Sequence, residues 1–218
     1  MWPHGKRKRQ KERHNMVAII DYGVGNLFSL KSSFALIGKS AVVTGDPDII
    51  RNADHVILPG VGAFGDAVKK LRESGLFDVV KEIAAEGKPL LGICLGMQLL
   101  FDRSMEYGEH EGLGLISGEV RSIAPVLPEG SDVPHMGWNS LTFWNSCPIF
   151  RDLKEGEFVY FVHSYAAFDC ERSLAAMTEY HGIPLTAAVF RGNVFVCQFH
   201  PEKSGETGMK ILKAFCEI

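Results

Sequence analysis

The chain has 218 residues, of which 46% are hydrophobic and 22% charged; that is enough for one compact domain with a sizeable buried core, and it excludes disorder over most of the length. The formal net charge of −3 conceals an asymmetry, since residues 1–15 hold six Lys/Arg against one acidic residue and the remainder holds 17 basic against 25 acidic. So acidic a body excludes nucleic acid as the main partner, and no apolar run reaches the length needed to span a bilayer, which leaves no membrane role and a soluble protein.

The basic lead, with Lys6, Arg7, Lys8, Arg9, Lys11 and Arg13, shows neither apolar periodicity nor the apolar stretch of a signal peptide. It reads as a disordered extension over residues 1–15, ahead of a domain spanning 16–218. Five cysteines at 94, 147, 170, 197 and 216 are odd in number and contain no C-x-x-C pair. They fit neither a disulfide framework nor a zinc site, so no metal is expected, and a reducing cytoplasm is the compartment they suit.

Val17 to Ile20 is a short apolar run ending at Asp21-Tyr22-Gly23, and Leu27, Leu30, Phe34 and Ile37 then recur at helical spacing up to Gly38. The pattern repeats. Ala41 to Val43 predicts a strand, His55 to Leu58 another, and after the turn Pro59-Gly60-Val61-Gly62 one helical stretch runs through Leu71 and Ile83. Leu90 to Ile93 predicts a buried strand, with a helix from Leu95 to Phe101 behind it. Strands alternating with helices imply parallel pairing through right-handed crossovers.

Past Gly112 the texture changes to strand-like stretches at Glu119 to Ile123, Trp138 to Phe143, Phe158 to Tyr165 and Leu174 to Glu179, and these read as mixed or antiparallel additions. Ala187 to Phe199 predicts a hairpin turning at Arg191-Gly192-Asn193. A final helix buries Met209, Leu212 and Phe215, with Thr207 as its cap. The fold class is therefore α/β: a single domain whose mainly parallel central sheet is flanked by helices.

Gly92-Ile93-Cys94-Leu95-Gly96 places a cysteine at a strand-to-helix junction, the setting of a nucleophile elbow, where flanking glycines remove the Cβ clashes a tight turn would create. The following helix offers free amides to the sulfur, and the Leu95 amide can serve a developing oxyanion. The competing reading is a buried structural thiol. A thiol nucleophile needs a base, and His200-Pro201-Glu202 follows the apolar strand ending at Phe199. Residues i and i+2 of an extended segment point to the same side, so Glu202 can orient the imidazole of His200 towards Cys94. In the turn at 59–62, two glycines let the Val61 amide swing into the site as a second oxyanion donor. The loop Asp21 to Asn26 fails as a dinucleotide fingerprint because Phe28 stands where the third glycine belongs, and it reads as structural or interfacial.

Elbow, oxyanion turn and histidine-glutamate pair, in this order over Met16 to the end, resemble the class I glutamine amidotransferases, a family of flavodoxin-like fold. Ile20-Asp21-Tyr22-Gly23 with Gly25-Asn26, Pro59-Gly60-Val61-Gly62 and Val133-Pro134-His135-Met136-Gly137-Trp138-Asn139 are most similar to the glutaminase subunits of imidazole glycerol phosphate synthases. That resemblance implies glutamine as substrate, a γ-glutamyl thioester on Cys94, proton transfer by His200, and no cofactor. It implies glutamine contacts from Gly60, Gly62, Gln98, Glu106 and the stretch His163-Ser164-Tyr165. It also implies a heterodimer with a (β/α)₈ barrel cyclase subunit, a separate polypeptide that receives the ammonia, with Trp138 and Tyr160 at the shared surface. Two rival readings stay open here: a class I amidotransferase subunit of anthranilate or aminodeoxychorismate synthesis, and a non-catalytic regulatory protein of the same fold.

Overall fold

The computed structural model describes residues 16–218, so the basic extension predicted for residues 1–15 lies outside the described residues. In chain order the elements are β1 (Met16–Ile20), α1 (Leu27–Leu36), β2 (Ser40–Thr44), α2 (Pro47–Asn52), β3 (His55–Leu58), α3 (Phe64–Glu73), α4 (Leu76–Ala85), β4 (Leu90–Ile93) and α5 (Leu95–Gln98). There follow β5 (Phe101–Ser104), β6 (His110–Glu111), β7 (Ile116–Ser122), β8 (His135–Ser140), β9 (Thr142–Phe143), β10 (Phe158–His163) and β11 (Tyr165–Phe168). The chain closes with β12 (Leu174–Tyr180), β13 (Ile183–Arg191), β14 (Val194–Cys197) and α6 (Gly205–Phe215).

The main sheet has the order β2-β1-β3-β4-β14-β13-β12-β9. Its first five strands are parallel and its last three antiparallel, which is the mainly parallel sheet with antiparallel additions that the sequence predicts. Both faces are covered, and for that reason the parallel strands are continuous apolar runs rather than alternating ones. In β1, Ala18 and Ile20 face the α3–α4 layer with Phe64, Leu71 and Ile83, while Val17 and Ile19 face the α1–α6 layer with Phe34, Leu212 and Phe215. No helix among the described residues is long and apolar enough to cross a membrane.

Five local expectations differ from the structure, one of them Trp138 to Phe143, which is broken at Leu141: β8 pairs with β10, whereas Thr142 and Phe143 pair with β12 in the main sheet. The helical stretch through Leu71 and Ile83 is two helices, because Gly75 at φ 73 adopts the left-handed conformation that ends α3 and reverses the chain into α4. The helix expected over Leu95 to Phe101 is a single turn, and Phe101 instead opens β5 opposite Ile116. Short apolar runs suit either element, and here strand pairing decides. Phe158 to Tyr165 is broken at Ser164: His163 pairs with His135, whereas Tyr165 pairs with Ser122 in a different sheet. Thr207 does not cap α6, whose boundary residue is Ser204; its hydroxyl donates to the Glu157 carboxylate at 3.0 Å.

The parallel strands β3 and β4 lead directly into Pro59 and Cys94. Beside β4, β14 is registered with Cys197 opposite Ile93, so the residues just beyond both strands emerge together at one sheet edge. A separation of about a hundred positions along the chain is closed by that single pairing.

Candidate active site

Cys94 links β4 to α5 with φ 54 and ψ −114, a conformation that sterics make costly for any residue with a side chain, by about 1–3 kcal/mol. The surroundings enforce it. A Cβ on Gly96 would lie 1.9 Å from the Leu58 carbonyl oxygen, and one on Gly92 would lie 2.7 Å from Leu100 Cδ1 and 2.9 Å from the Gly96 oxygen. Glycine at 96 lets the turn close on β3, and glycine at 92 lets α5 fold back on β4. The Cys94 amide donates to the Cys197 carbonyl at 2.8 Å, which ties the elbow to the strand leading to His200.

His200 Nδ1 lies 2.8 Å from Glu202 Oε1, with both side chains almost wholly buried, and the Cys94 side chain is near enough to raise the proton affinity of the imidazole. Its backbone is held on both sides: the His200 amide donates to the Tyr160 carbonyl at 3.0 Å, and the Ser204 hydroxyl donates to the His200 carbonyl at 2.6 Å. Burial lowers the proton affinity of His200, but the hydrogen bonds to Cys94 and Glu202 outweigh it and push the pKa up to about 9. The arrangement can hold a proton next to the sulfur at neutral pH and hand it on.

These groups open into a cavity of about 450 Å³, a size suited to a small-molecule substrate. Val61, Gly62, Cys94, Leu95, Gln98, Glu106, His163, Ser164, Tyr165 and His200 all contribute to its wall. Gly60 packs just beneath: a Cβ there would lie 2.7 Å from the Gly96 nitrogen and 2.9 Å from both Leu95 Cβ and the Tyr22 hydroxyl. The turn at 59–62 and the elbow are thus in van der Waals contact through Gly60. Leu95 opens α5, where a first-turn amide has no intrahelical acceptor. Because α5 is one turn long, the field at the sulfur comes from those free amides rather than from a long helix.

Gln98 Nε2 donates to the Tyr165 carbonyl and to Gln198 Oε1, each at 3.0 Å. Glu106 Oε2 accepts the Phe64 amide at 2.6 Å, so one carboxylate oxygen anchors the start of α3 and the other keeps its lone pairs. Trp138 and Tyr160 stand outside the cavity, with ring centroids 6.0 Å apart and nearly perpendicular. Lys203, on the cavity wall, has its ammonium 5.9 Å from the Tyr160 ring, which links this aromatic pair to the cavity. Trp138 is 53% exposed.

Sequence reasoning passes over three contributors. Tyr22 donates to the Pro59 carbonyl at 2.8 Å and so braces the turn, which gives the loop at 21–26 a structural role. Gln198, fully buried, reaches Gln98 and, at 3.9 Å, the Cys94 sulfur. A lone amide inside the apolar run ending at Phe199 is the signal that marks it. His135, fully buried against His163, lies in the Pro134-His135-Met136 motif but had no role assigned from sequence.

Comparison with known proteins agrees with this geometry. The family model described as glutamine amidotransferase class-I matches residues 18–218. The imidazole glycerol phosphate synthase subunit HisH of Caldanaerobacter subterraneus subsp. tengcongensis is 50% identical over 204 residues, covering 93% of this chain and 98% of that relative. The subunit of the same name from Sulfurimonas denitrificans is 50% identical over 201 residues, covering 92% and 97%. Among solved structures, PurLQS from Thermotoga maritima superposes with a TM-score of 0.72 at 20% identity, covering 94% of this chain and 98% of that one, a likeness of fold.

Proposed function

This chain belongs to the class I glutamine amidotransferase family, and we infer that it is the glutaminase subunit of an imidazole glycerol phosphate synthase, with residues 16–218 forming the amidotransferase domain. It is an enzyme of histidine biosynthesis, and the cytoplasm is where we place it. The observation that carries this reading is the set Cys94, His200 and Glu202: Cys94 and His200 stand in the wall of a cavity that Gln98 and Glu106 also line, and Glu202 is bonded to His200.

In the proposed reaction the Cys94 sulfur attacks the side-chain carbonyl carbon of glutamine. The amides of Leu95 and Val61 receive the charge that develops on oxygen, a contribution of about 3–4 kcal/mol per donor in comparable sites. His200 gives its proton to the departing nitrogen, the C–N bond breaks, and ammonia leaves a γ-glutamyl thioester. Water then attacks the thioester carbon while His200 takes its proton, the C–S bond breaks, and glutamate is released. Glu202 keeps the imidazole in the tautomer and orientation that both half-reactions need. The free lone pairs of Glu106 suit the substrate ammonium, and Gln98 with the segment His163-Ser164-Tyr165, together with Gly60 and Gly62, shapes the rest of the pocket.

Ammonia released into water would be protonated and lose its nucleophilicity. We therefore place a (β/α)₈ barrel cyclase subunit over the cavity mouth, bound as a heterodimer, with Trp138 and Tyr160 as anchors at its border. That subunit consumes the ammonia to make imidazole glycerol phosphate and aminoimidazole carboxamide ribonucleotide. The test has two arms: a chloroketone analogue of glutamine labels Cys94 and no other cysteine, seen by peptide mass spectrometry, and the chain co-purifies with the cyclase. An unlabelled Cys94 in the assembled pair refutes the chemistry, and failure to assemble refutes the pathway.

A further inference from the structure

From the cavity wall inwards, His163 and His135 form a hydrogen-bonded chain whose protons the hydrolysis above does not use. His163 Nδ1 lies 2.9 Å from the Tyr165 carbonyl oxygen, His163 Nε2 lies 3.0 Å from His135 Nδ1, and His135 Nε2 lies 2.9 Å from Asn139 Oδ1. The His135 ring is fixed in its plane between Phe161, at 4.7 Å, and Tyr180, at 4.1 Å. Asn139 cannot turn its amide round without loss, because Nδ2 donates to the Glu179 carbonyl at 2.9 Å.

Both ends of the chain are therefore acceptors, and its three links need three protons. Two neutral imidazoles supply two. A third proton would make one ring an imidazolium, which burial opposes: burial and then His135 hold His163 down to about 3, and burial lowers His135 as well. His181 on the outer side and His200 on the inner side lower the pair further.

One link in the neutral pair thus lacks its hydrogen. At the centre, two bare nitrogens would face each other at 3.0 Å inside the protein. At the inner end, a bare nitrogen would face the Tyr165 carbonyl, whose position is set by the pairing of β11 with β7. At the outer end the mismatch falls on Asn139, which is only half-buried and nearer water than either imidazole, so it is the least costly of the three places to hold it. We propose that His135 and His163 both carry their proton on Nδ1 and act as positioning residues, fixing the Tyr165 carbonyl that also receives Gln98, while the mismatch is held at Asn139. This rests on the glutaminase reading for its consequence: Gln98 bonds to Gln198, and Gln198 to the Cys94 sulfur, so the chain runs from β8 beside Trp138 to the nucleophile.

Two-bond nitrogen–proton NMR on the ¹⁵N-labelled full chain tests the tautomers. Both rings are expected as neutral Nδ1–H forms at neutral pH. Asn139→Asp supplies a carboxylate at the outer end and is expected to make His135 doubly protonated at that pH, completing all three links. A proton on Nε2 of His163 in the native chain, or a neutral His135 in Asn139→Asp, overturns the assignment. In the complex with the cyclase, His135→Phe keeps the stacked ring and removes the donor. The glutamine KM is expected to rise about tenfold with kcat nearly kept, the size expected when one buried hydrogen bond is lost. An unchanged KM overturns the positioning role. The tautomers are read without substrate, so a failure of the glutaminase reading shows itself separately, as an inactive native complex.

Discussion

Gly96 and Leu58 approach so closely that a Cβ on Gly96 would lie 1.9 Å from the Leu58 carbonyl oxygen, which seats the elbow directly on β3. Backbone on one side and a strand inside the sheet on the other leave nothing to yield. Gly96→Ala is expected to cost several kcal/mol and to leave little folded protein. Gly62→Ala is the contrast, since its Cβ meets open space and only its φ of 96 is unfavourable. It is expected to fold with a loss of about 1 kcal/mol. Urea unfolding of the two variants measures the difference.

Cys94→Ala is expected to abolish glutamine-dependent synthesis by the assembled pair and to leave synthesis from added ammonium salt intact. Steady-state assays with the two nitrogen sources decide it. Loss of both activities would assign the cysteine a structural role.

The proton on His200 links stability to pH. Its folded pKa of about 9 lies above the ordinary value of 6.5, so the stabilising contribution is fully present below 6.5 and is lost as pH rises through 9. Glu202→Gln removes one of the two bonds that raise the pKa. The variant is expected to lose less stability than the native chain between pH 6.5 and 9, measured as urea midpoints across that range, and to lose glutaminase turnover about a hundredfold or more.

Trp138 stands 53% exposed against Tyr160, so its truncation removes little core packing. Trp138→Ala is expected to leave the thermal midpoint of the isolated chain within about 2 °C, and to weaken cyclase binding about tenfold or more, as loss of an aromatic anchor does. Calorimetric titration measures the affinity, and unchanged binding would move the interface elsewhere.

Much of the fold is legible in the residue order because its signals are local. The apolar runs of β1, β3 and β4, the glycines around Cys94 and the hairpin at Gly192-Asn193 each declare themselves within a few residues. Six residues at α2 are too few to display a helical period, although Asp46-Pro47 is a start signal, with the Asp46 carboxylate accepting the Asp48 amide at 2.8 Å. The split of Phe158 to Tyr165 at Ser164 has no local signal, since both halves look like strand and only their partners differ.

By itself the sequence determined the alternation that makes a parallel sheet, the cysteine placed on a glycine-flanked turn, and the histidine with its carboxylate two residues on. Tertiary structure decided that Cys197 lies opposite Ile93, which delivers His200 to Cys94, and that His135 meets His163 behind the pocket. The division follows from the physics: turn chemistry and side-chain periodicity act over a few bonds, whereas strand register and buried polar pairing are settled by contacts that exist only once distant segments have packed together.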